Sequence, residues 1–497
     1  MRKGDELSVS IVDIGDDGVG IGKHDGHVYF IKDALIGDTV RAKVMKVKPK
    51  HVFAKLEEVL TPSPFRVQPP CRLHRSCGAC QLQALKYEKQ LEYKQNKVYN
   101  NLKRIGGFSD EAVEAVLEPI IGMEQPFGYR NKAAYPVAHD KEGNLIAGFY
   151  AGRTHDIIAV NNCLLTDERN KAVLAAVLSY MKENAISAYD EASGTGHIRH
   201  ILVRTGHYSG ELMLCLVVNA DAPPPSHIAA NADALPIDHV AAKADAPSIG
   251  HVILSAAKNL VPALSVIPGM ASISINYNPG RTNVIMGRDT ECIWGKATIA
   301  DCLHVLDVKA NFQKSGRRFN FHISPKSFYQ VNAQQAEKLY SLMLDWLNLS
   351  GNETVWDLYS GIGTISIYMA PYTGMVYAVE SVPESVRDAR LNAAENNATN
   401  IHFLEGRVED IFVKKCQSAD IVIVNPPRKG LSSTCTEAII QAKPERIIYL
   451  SCDSATLARD LRILKESGFR LARARPVDQF CHSVHVETLC LLVWESH

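Results

Sequence analysis

Cys452, in the run Tyr449-Leu450-Ser451-Cys452-Asp453, places a thiol just past an apolar strand-like stretch, where open parallel sheets carry their chemistry. A thiol there can be a nucleophile, although an inert buried cysteine is the commoner use of this residue type. Glu487, in His485-Val486-Glu487-Thr488, begins the last strand candidate and could bring a carboxylate base to the same crevice. The plain alternative is a solvated carboxylate at a strand end. Together they suit one reaction. Carbon 5 of uracil is a poor nucleophile until a thiolate adds at carbon 6 and makes it enolate-like. A base must then remove the carbon 5 proton so that the thiol can be expelled.

A second chemical signal precedes this pair. Val355-Trp356-Asp357-Leu358 runs into Tyr359-Ser360-Gly361-Ile362-Gly363 and then a helix, so that a ligand can approach the backbone closely at the glycines. About twenty residues on, Glu380 ends the next strand candidate, where a carboxylate can accept hydrogen bonds from both hydroxyls of a ribose. A nicotinamide cofactor would fit such a turn too, but the third glycine of the dinucleotide fingerprint is replaced by Ser366. A third signal is Cys71, Cys77 and Cys80, three cysteines within ten residues, with a remote Cys163. Four thiolates suit an iron-sulfur cubane or a zinc ion, and spacing alone does not choose.

The elements that must position these residues are of several kinds. A chain of 497 residues is too long for one core, and its 54 basic and 54 acidic side chains cancel, so any RNA contact must be regional. Twelve cysteines in so long a chain are not a disulfide framework. The N-terminal charges have no apolar run behind them and no stretch of membrane-spanning length follows, which predicts a cytoplasmic protein without membrane contact.

Residues 1–62 alternate β-branched runs with Gly/Asp turns, the rhythm of a small antiparallel barrel of the OB-like kind. Within it, Arg41 to Lys55 holds six Lys/Arg and no acid, predicting a phosphate-facing stripe or, alternatively, a lysine-protected edge strand. Thr61-Pro62-Ser63-Pro64 reads as a linker. Residues 63–310 read as a second, β-rich domain that contains a helix near 86–104 and an Ala/Pro/His/Asp-rich flexible insertion at about 221–260. From 311 to 497 strands and helices alternate, the pattern of an α/β doubly wound parallel sheet. The predicted fold class is therefore multidomain: small β-barrel, β-rich central domain, C-terminal doubly wound domain.

Taken together these residues resemble the iron-sulfur-containing ribosomal RNA (uracil-5-)-methyltransferases, from the barrel to the C-terminus with only the 221–260 insertion outside. The runs Pro126-Phe127-Gly128-Tyr129-Arg130-Asn131-Lys132 and Ser324-Pro325-Lys326-Ser327-Phe328-Tyr329-Gln330-Val331-Asn332 also look like family motifs. The resemblance implies a TRAM barrel that binds RNA, a class I methyltransferase domain, and S-adenosylmethionine bound by Gln330, Tyr359, Glu380 and the residue at 425. It implies Cys452 as nucleophile, Glu487 as proton acceptor, and a 4Fe-4S cluster on Cys71, Cys77, Cys80 and Cys163. It also implies 23S ribosomal RNA as the partner of a monomeric enzyme, with a transfer-RNA uridine as the other target.

One position departs from the family. Asn425, in Val424-Asn425-Pro426-Pro427-Arg428, stands where an aspartate is usual and loses the charge while keeping hydrogen-bonding capacity. It motivates the competing reading of a non-catalytic RNA-binding protein with a decayed site. An Asn-Pro-Pro run is also found in amine methyltransferases, but there an aromatic residue follows, and here Arg428 does.

Overall fold

The computed structural model describes residues 2–152, 154–222, 258–416 and 418–495. The backbone separates into two compact units. One comprises Met1–Tyr129, Leu303–Phe321 and Ser327–His497, and the other Arg130–Cys302 and His322–Lys326. Of the expected insertion at 221–260, residues 223–257 lie outside the described residues, and so does its strand-like run at 251–254.

In the first unit, strands β1 (Glu6–Ile14), β2 (Gly20–His24), β3 (His27–Lys32), β4 (Thr39–Val47) and β5 (His51–Thr61) close a barrel in the order β1-β2-β3-β5-β4. Strict alternation drives it. Val40, Ala42 and Val44 point inward with Tyr29, Ile31 and Val52, while Arg41 and Lys43 stay exposed. Asp25 and Gly26, both at positive φ, make the two-residue turn whose twist matches its flanking strands. Thr61 to Pro64, read as a linker, is pinned instead at Ser63. The buried Asp38 carboxylate accepts the Ser63 N–H and a bidentate pair from Arg66.

The same unit holds the C-terminal sheet: β15 (Thr354–Leu358), β16 (Met375–Glu380), β17 (Ile401–Glu405), β18 (Ile421–Val424), β19 (Arg446–Ser451), β20 (Phe469–Val477) and β21 (Glu487–Trp494). Their order is β17-β16-β15-β18-β19-β21-β20. The first five are parallel, and β21 runs antiparallel between β19 and β20. Helices on both faces give β15, β18 and β19 the near-continuous apolar composition of a doubly buried parallel sheet.

Residues 63–129 do not belong with the central sheet, contrary to the expected boundary at 63. The reason is the helix Tyr87–Arg104. Its Val98 and Leu102, with Phe108 and Val113 beyond it, join the core of the C-terminal sheet. The barrel is tied in by a smaller cluster in which Ile14 and Leu35 meet Leu82, Leu85, Tyr93 and Val484.

The second unit is a seven-stranded sheet of β6 (Lys132–His139), β7 (Leu145–Tyr150), β8 (Ile157–Ala159), β9 (Ile198–Thr205), β10 (Leu212–Val218), β11 (Met270–Tyr277) and β12 (Asp289–Gly295). The order is β12-β11-β10-β9-β6-β7-β8, and every residue of β9 and β10 is buried. The remaining strands, β13 (Ile299–Asp307) and β14 (Gln313–Ile323), pair with each other.

Candidate active site

The strand order of the C-terminal sheet reverses at β15. The chain steps outward through β16 and β17, then returns to lay β18 on the other side of β15. At such a switch point the connections diverge and leave a crevice beyond the strand ends. The Tyr359 to Gly363 turn sits there, with Tyr359, Gly361 and Gly363 all at positive φ. At Gly363 a Cβ would come within 3.1 Å of Phe403 and 3.3 Å of Ala389, so a side chain would crowd its neighbours in addition to the strain of the positive φ. Gly363 then caps the helix Thr364–Met369.

Glu380 is held ready at the end of β16. One carboxylate oxygen accepts the Gly361 N–H at 3.0 Å and the other the Val382 N–H at 2.8 Å. Ser366, which displaced the third fingerprint glycine, has a task of its own: its hydroxyl donates to Asp357 at 2.5 Å. Burial pushes the Asp357 carboxyl up to about 7, against the lowering effect of that hydrogen bond. The buried Ser360 hydroxyl and one Asp357 oxygen have no hydrogen-bond partner among the described residues. The Ser360 hydroxyl beside the glycine turn, with the Glu380 carboxylate, fits a nucleoside cofactor by the chemistry of its donors and acceptors.

Tyr359 and Gln330 are placed differently from what a cofactor role alone would suggest. The Tyr359 side chain packs against the sheet core with its hydroxyl on Cys435, and burial there raises its pKa. Only its strained backbone belongs to the turn. Gln330 is buried, and its Oε1 accepts from Gln479 Nε2 at 3.1 Å. Its side chain also meets the hydroxyl of the buried Tyr340, which Thr364 approaches from the glycine turn. Asn425 lies half-buried just past β18, its N–H a long 3.5 Å from Leu358 O.

Cys452 follows β19 directly, half-buried, ahead of the helix Ser454–Glu466. Asp453 caps that helix by accepting the N–H groups of Ala455 and Thr456 at 3.0 Å each. Thr488 on β21 pairs with Ser451, so Glu487 and Cys452 are the next residues outward on two adjacent strands. Burial and the nearby Glu487 raise the thiol's pKa, while the Arg428 guanidinium, hydrogen-bonded to it, pulls the other way. Glu487 is 3% exposed, and burial pushes it up to about 8. His485, between them in sequence, is lowered to about 4 by burial and then by Arg428, Lys97 and Lys94, and so stays neutral.

Three contributors lie outside the site residues expected from the sequence. Arg428 was legible only as the residue after the two prolines. Phe328 is 59% exposed beside the turn, where a Cβ on Gly361 would meet its ring at 3.8 Å. The third is a fully buried ion pair, Lys94 to Asp478 at 2.5 Å, which Tyr87 and the Phe480 carbonyl complete. It ties the helix Tyr87–Arg104 to the segment leading into Glu487. Its signal is a lysine on the apolar face of a helix, four residues before Val98.

The expected cluster cysteines divide. Cys71, Cys77 and Cys80 lie half-buried on a turn-rich segment of the first unit, ordered by Cys71 N–H to Gln83 Oε1 and Cys77 N–H to Leu73 O. Cys163 belongs to the second unit. Among the described residues no three His, Cys, Asp or Glu side chains are gathered as a metal site. The all-sulfur donor set suits an iron-sulfur cluster by type. No helix among them is long and apolar enough to cross a membrane.

Comparison with known proteins agrees with the architecture. Residues 299–495 match the family profile described as tRNA (Uracil-5-)-methyltransferase, and residues 2–56 match the TRAM domain. An RNA methyltransferase of Halalkalibacterium halodurans is 38% identical over 99% of this chain and 98% of its own length. One of Clostridium tetani is 36% identical over 99% and 97%. The crystal structure of the tRNA (uracil-54, C5)-methyltransferase of Pyrococcus abyssi, in complex with S-adenosyl-L-homocysteine, covers 98% of this chain and 100% of its own with a TM-score of 0.69. At 24% identity it speaks for the fold.

Proposed function

Because the chain belongs to the S-adenosylmethionine-dependent RNA (uracil-5-)-methyltransferases that carry a TRAM domain, we propose that it methylates a uridine of 23S ribosomal RNA through a covalent Cys452 adduct resolved by Glu487. The observation that carries the mechanism is the placement of Cys452, the residue just past β19, beside Glu487 at the start of the adjacent β21, with Arg428 on the thiol.

A uridine flipped out of the RNA enters the crevice, with the exposed Phe328 ring available to stack on it. The half-buried Cys452 thiol gives its proton to solvent, and Arg428 holds the thiolate. The sulfur adds to carbon 6, and the electron pair moves to carbon 5 and the 4-oxygen. S-adenosylmethionine supplies an electrophilic methyl group on sulfonium sulfur. Carbon 5, made nucleophilic by the Cys452 adduct, would take that methyl group, its bond to sulfur breaking as the carbon–carbon bond forms. Glu487 then accepts the carbon 5 proton, the ring double bond re-forms, and the Cys452 thiolate is expelled. Burial that pushes this carboxyl up to about 8 makes its ionised form a strong proton acceptor, and that form gains population as pH rises toward 8.

Glu380 would hold the ribose of the cofactor, with Tyr359, Gln330 and Asn425 as further contacts. Asn425 favours a second reading, an RNA binder with a decayed site. Turnover decides between them. Purified chain, RNA and labelled methyl donor should yield 5-methyluridine, and a Cys452→Ala variant that still made it would overturn the mechanism. The chain acts as a monomer in this reading.

The combination of barrel and four cysteines supports ribosomal RNA, while the name of the matching profile makes transfer RNA the second target. Mapping 5-methyluridine in both RNAs from a strain lacking the protein separates them. Cys71, Cys77, Cys80 and Cys163 are proposed, from the resemblance, as ligands of a 4Fe-4S cluster. Iron and acid-labile sulfide in anaerobically purified protein would support this, and stoichiometric zinc would refute it.

A further inference from the structure

The outward face of the barrel carries three aromatic rings that its own packing does not use. Strands β3 and β5 are paired in parallel so that Val28 and His51, Phe30 and Phe53, and Lys32 and Lys55 stand side by side. The residues between them, Tyr29, Ile31, Val52 and Ala54, fill the barrel interior. Phe30, His51 and Phe53 are therefore outside, each half-exposed. They form one platform. Phe30 stacks against Phe53 with centroids 5.6 Å apart, and His51 packs edge-on to both at 5.7 and 5.3 Å.

Cations surround the platform. Lys46 on β4 is the register partner of Phe53, Lys43 that of Lys55, and the Lys48 ammonium sits 5.9 Å from the Phe53 ring. Lys32, Lys43, Lys46 and Lys48 are exposed and have no carboxylate partner among the described residues. Two members of the basic stretch are not available in the same way, since Arg41 pairs with Glu58 and Lys55 with Glu57. The free positive charge thus concentrates around the rings rather than along the whole of β4.

We propose that this face binds single-stranded RNA, with successive bases stacked on Phe30, His51 and Phe53 and phosphates on the flanking lysines. Rings flanked by unpaired ammonium groups match a strand that offers flat bases and a charged backbone together. A duplex hides its base faces and would engage only the lysines. The inference rests on RNA being the substrate and adds which barrel face meets it and in what form. An unpaired segment next to the target uridine is the class of sequence that would be held.

The test uses the full chain and two labelled probes, a ten-nucleotide oligouridylate and an RNA duplex of equal length, read by fluorescence anisotropy. Phe53→Ala should weaken the single strand about tenfold and leave the duplex nearly unchanged. Lys46→Glu should weaken both and flatten the salt dependence. Phe53→Trp should restore single-strand binding, which separates stacking from any loss of folding. Unchanged single-strand affinity in Phe53→Ala, or an equal loss on the duplex, overturns the proposal. Methyl transfer by the unaltered chain is scored separately. If it is absent while the Phe53 effect stands, the catalytic reading fails and this one survives.

Discussion

In the barrel, charge stays in water: Arg41, Lys43, Lys46 and Lys48 are exposed, and the interior is Val, Ile, Ala and Tyr. In the crevice of the C-terminal sheet the ionisable groups are withdrawn from water, Glu487 and Asp357 to almost nothing and Cys452 by more than half. The difference follows from the two tasks. Holding a polyanion needs cations that can reach phosphate, and losing one costs little structure. Moving a proton and adding a thiol need groups whose charge is not already quenched by solvent, and burial that shifts a carboxyl from 4.5 to about 8 makes each a matter of stability as well as rate.

The sharpest way to separate the regions is Cys452→Ala. Loss of the nucleophile should lower methyl transfer by on the order of 10⁴-fold or more in a single-turnover assay, with the melting temperature scarcely moved. A loss below about tenfold would remove the covalent role. Next in size is Lys94→Met, which strands the Asp478 carboxylate in the core. It should cost roughly 3–5 kcal/mol in denaturant unfolding, because neither side chain of the Lys94–Asp478 pair is exposed.

Glu487→Gln reads the same burial through pH. The folded carboxyl is raised from 4.5 to about 8, so the neutral form favours folding below about 4.5, and that contribution is lost as pH rises toward 8. Relative to the wild type, the variant should therefore gain stability between those pH values and level off above, by on the order of a few kcal/mol. In the presence of RNA and methyl donor it should also accumulate a covalent protein–RNA adduct on a denaturing gel. The smallest effect is expected in the barrel. Arg41→Gln breaks a half-exposed pair with Glu58 and should change stability by less than about 1 kcal/mol. If Arg41→Gln destabilised as much as Lys94→Met, the contrast between the regions would not hold.

Much of this was legible from residue order. The apolar runs at 354–358, 421–424 and 446–450 are strands because a doubly buried parallel sheet demands continuous apolar stretches, and a thiol placed after such a run lies at the rim of the crevice. The helix near 86–104 was legible from its spacing, but not its allegiance, since Val98 and Leu102 could have packed on any apolar face. The basic run from Arg41 to Lys55 was legible as charge. Its partial neutralisation by Glu57 and Glu58 depends on strand register. Gln479 gave no signal at all: its contact with Gln330 joins residues 149 positions apart.

By itself the sequence determined the kinds and order of the local elements, the glycine turn, and the thiol and carboxylate available for chemistry, because periodicity and turn geometry are set by near neighbours. Only the tertiary structure decided which charges meet water. Antiparallel pairing of β21 with β19 sets Glu487 next to Cys452, and packing around it keeps that carboxyl neutral up to about 8. Arg428 reaches the thiol from the end of a different strand. Desolvation and charge proximity are sums over residues distant in the chain, so no local pattern records them.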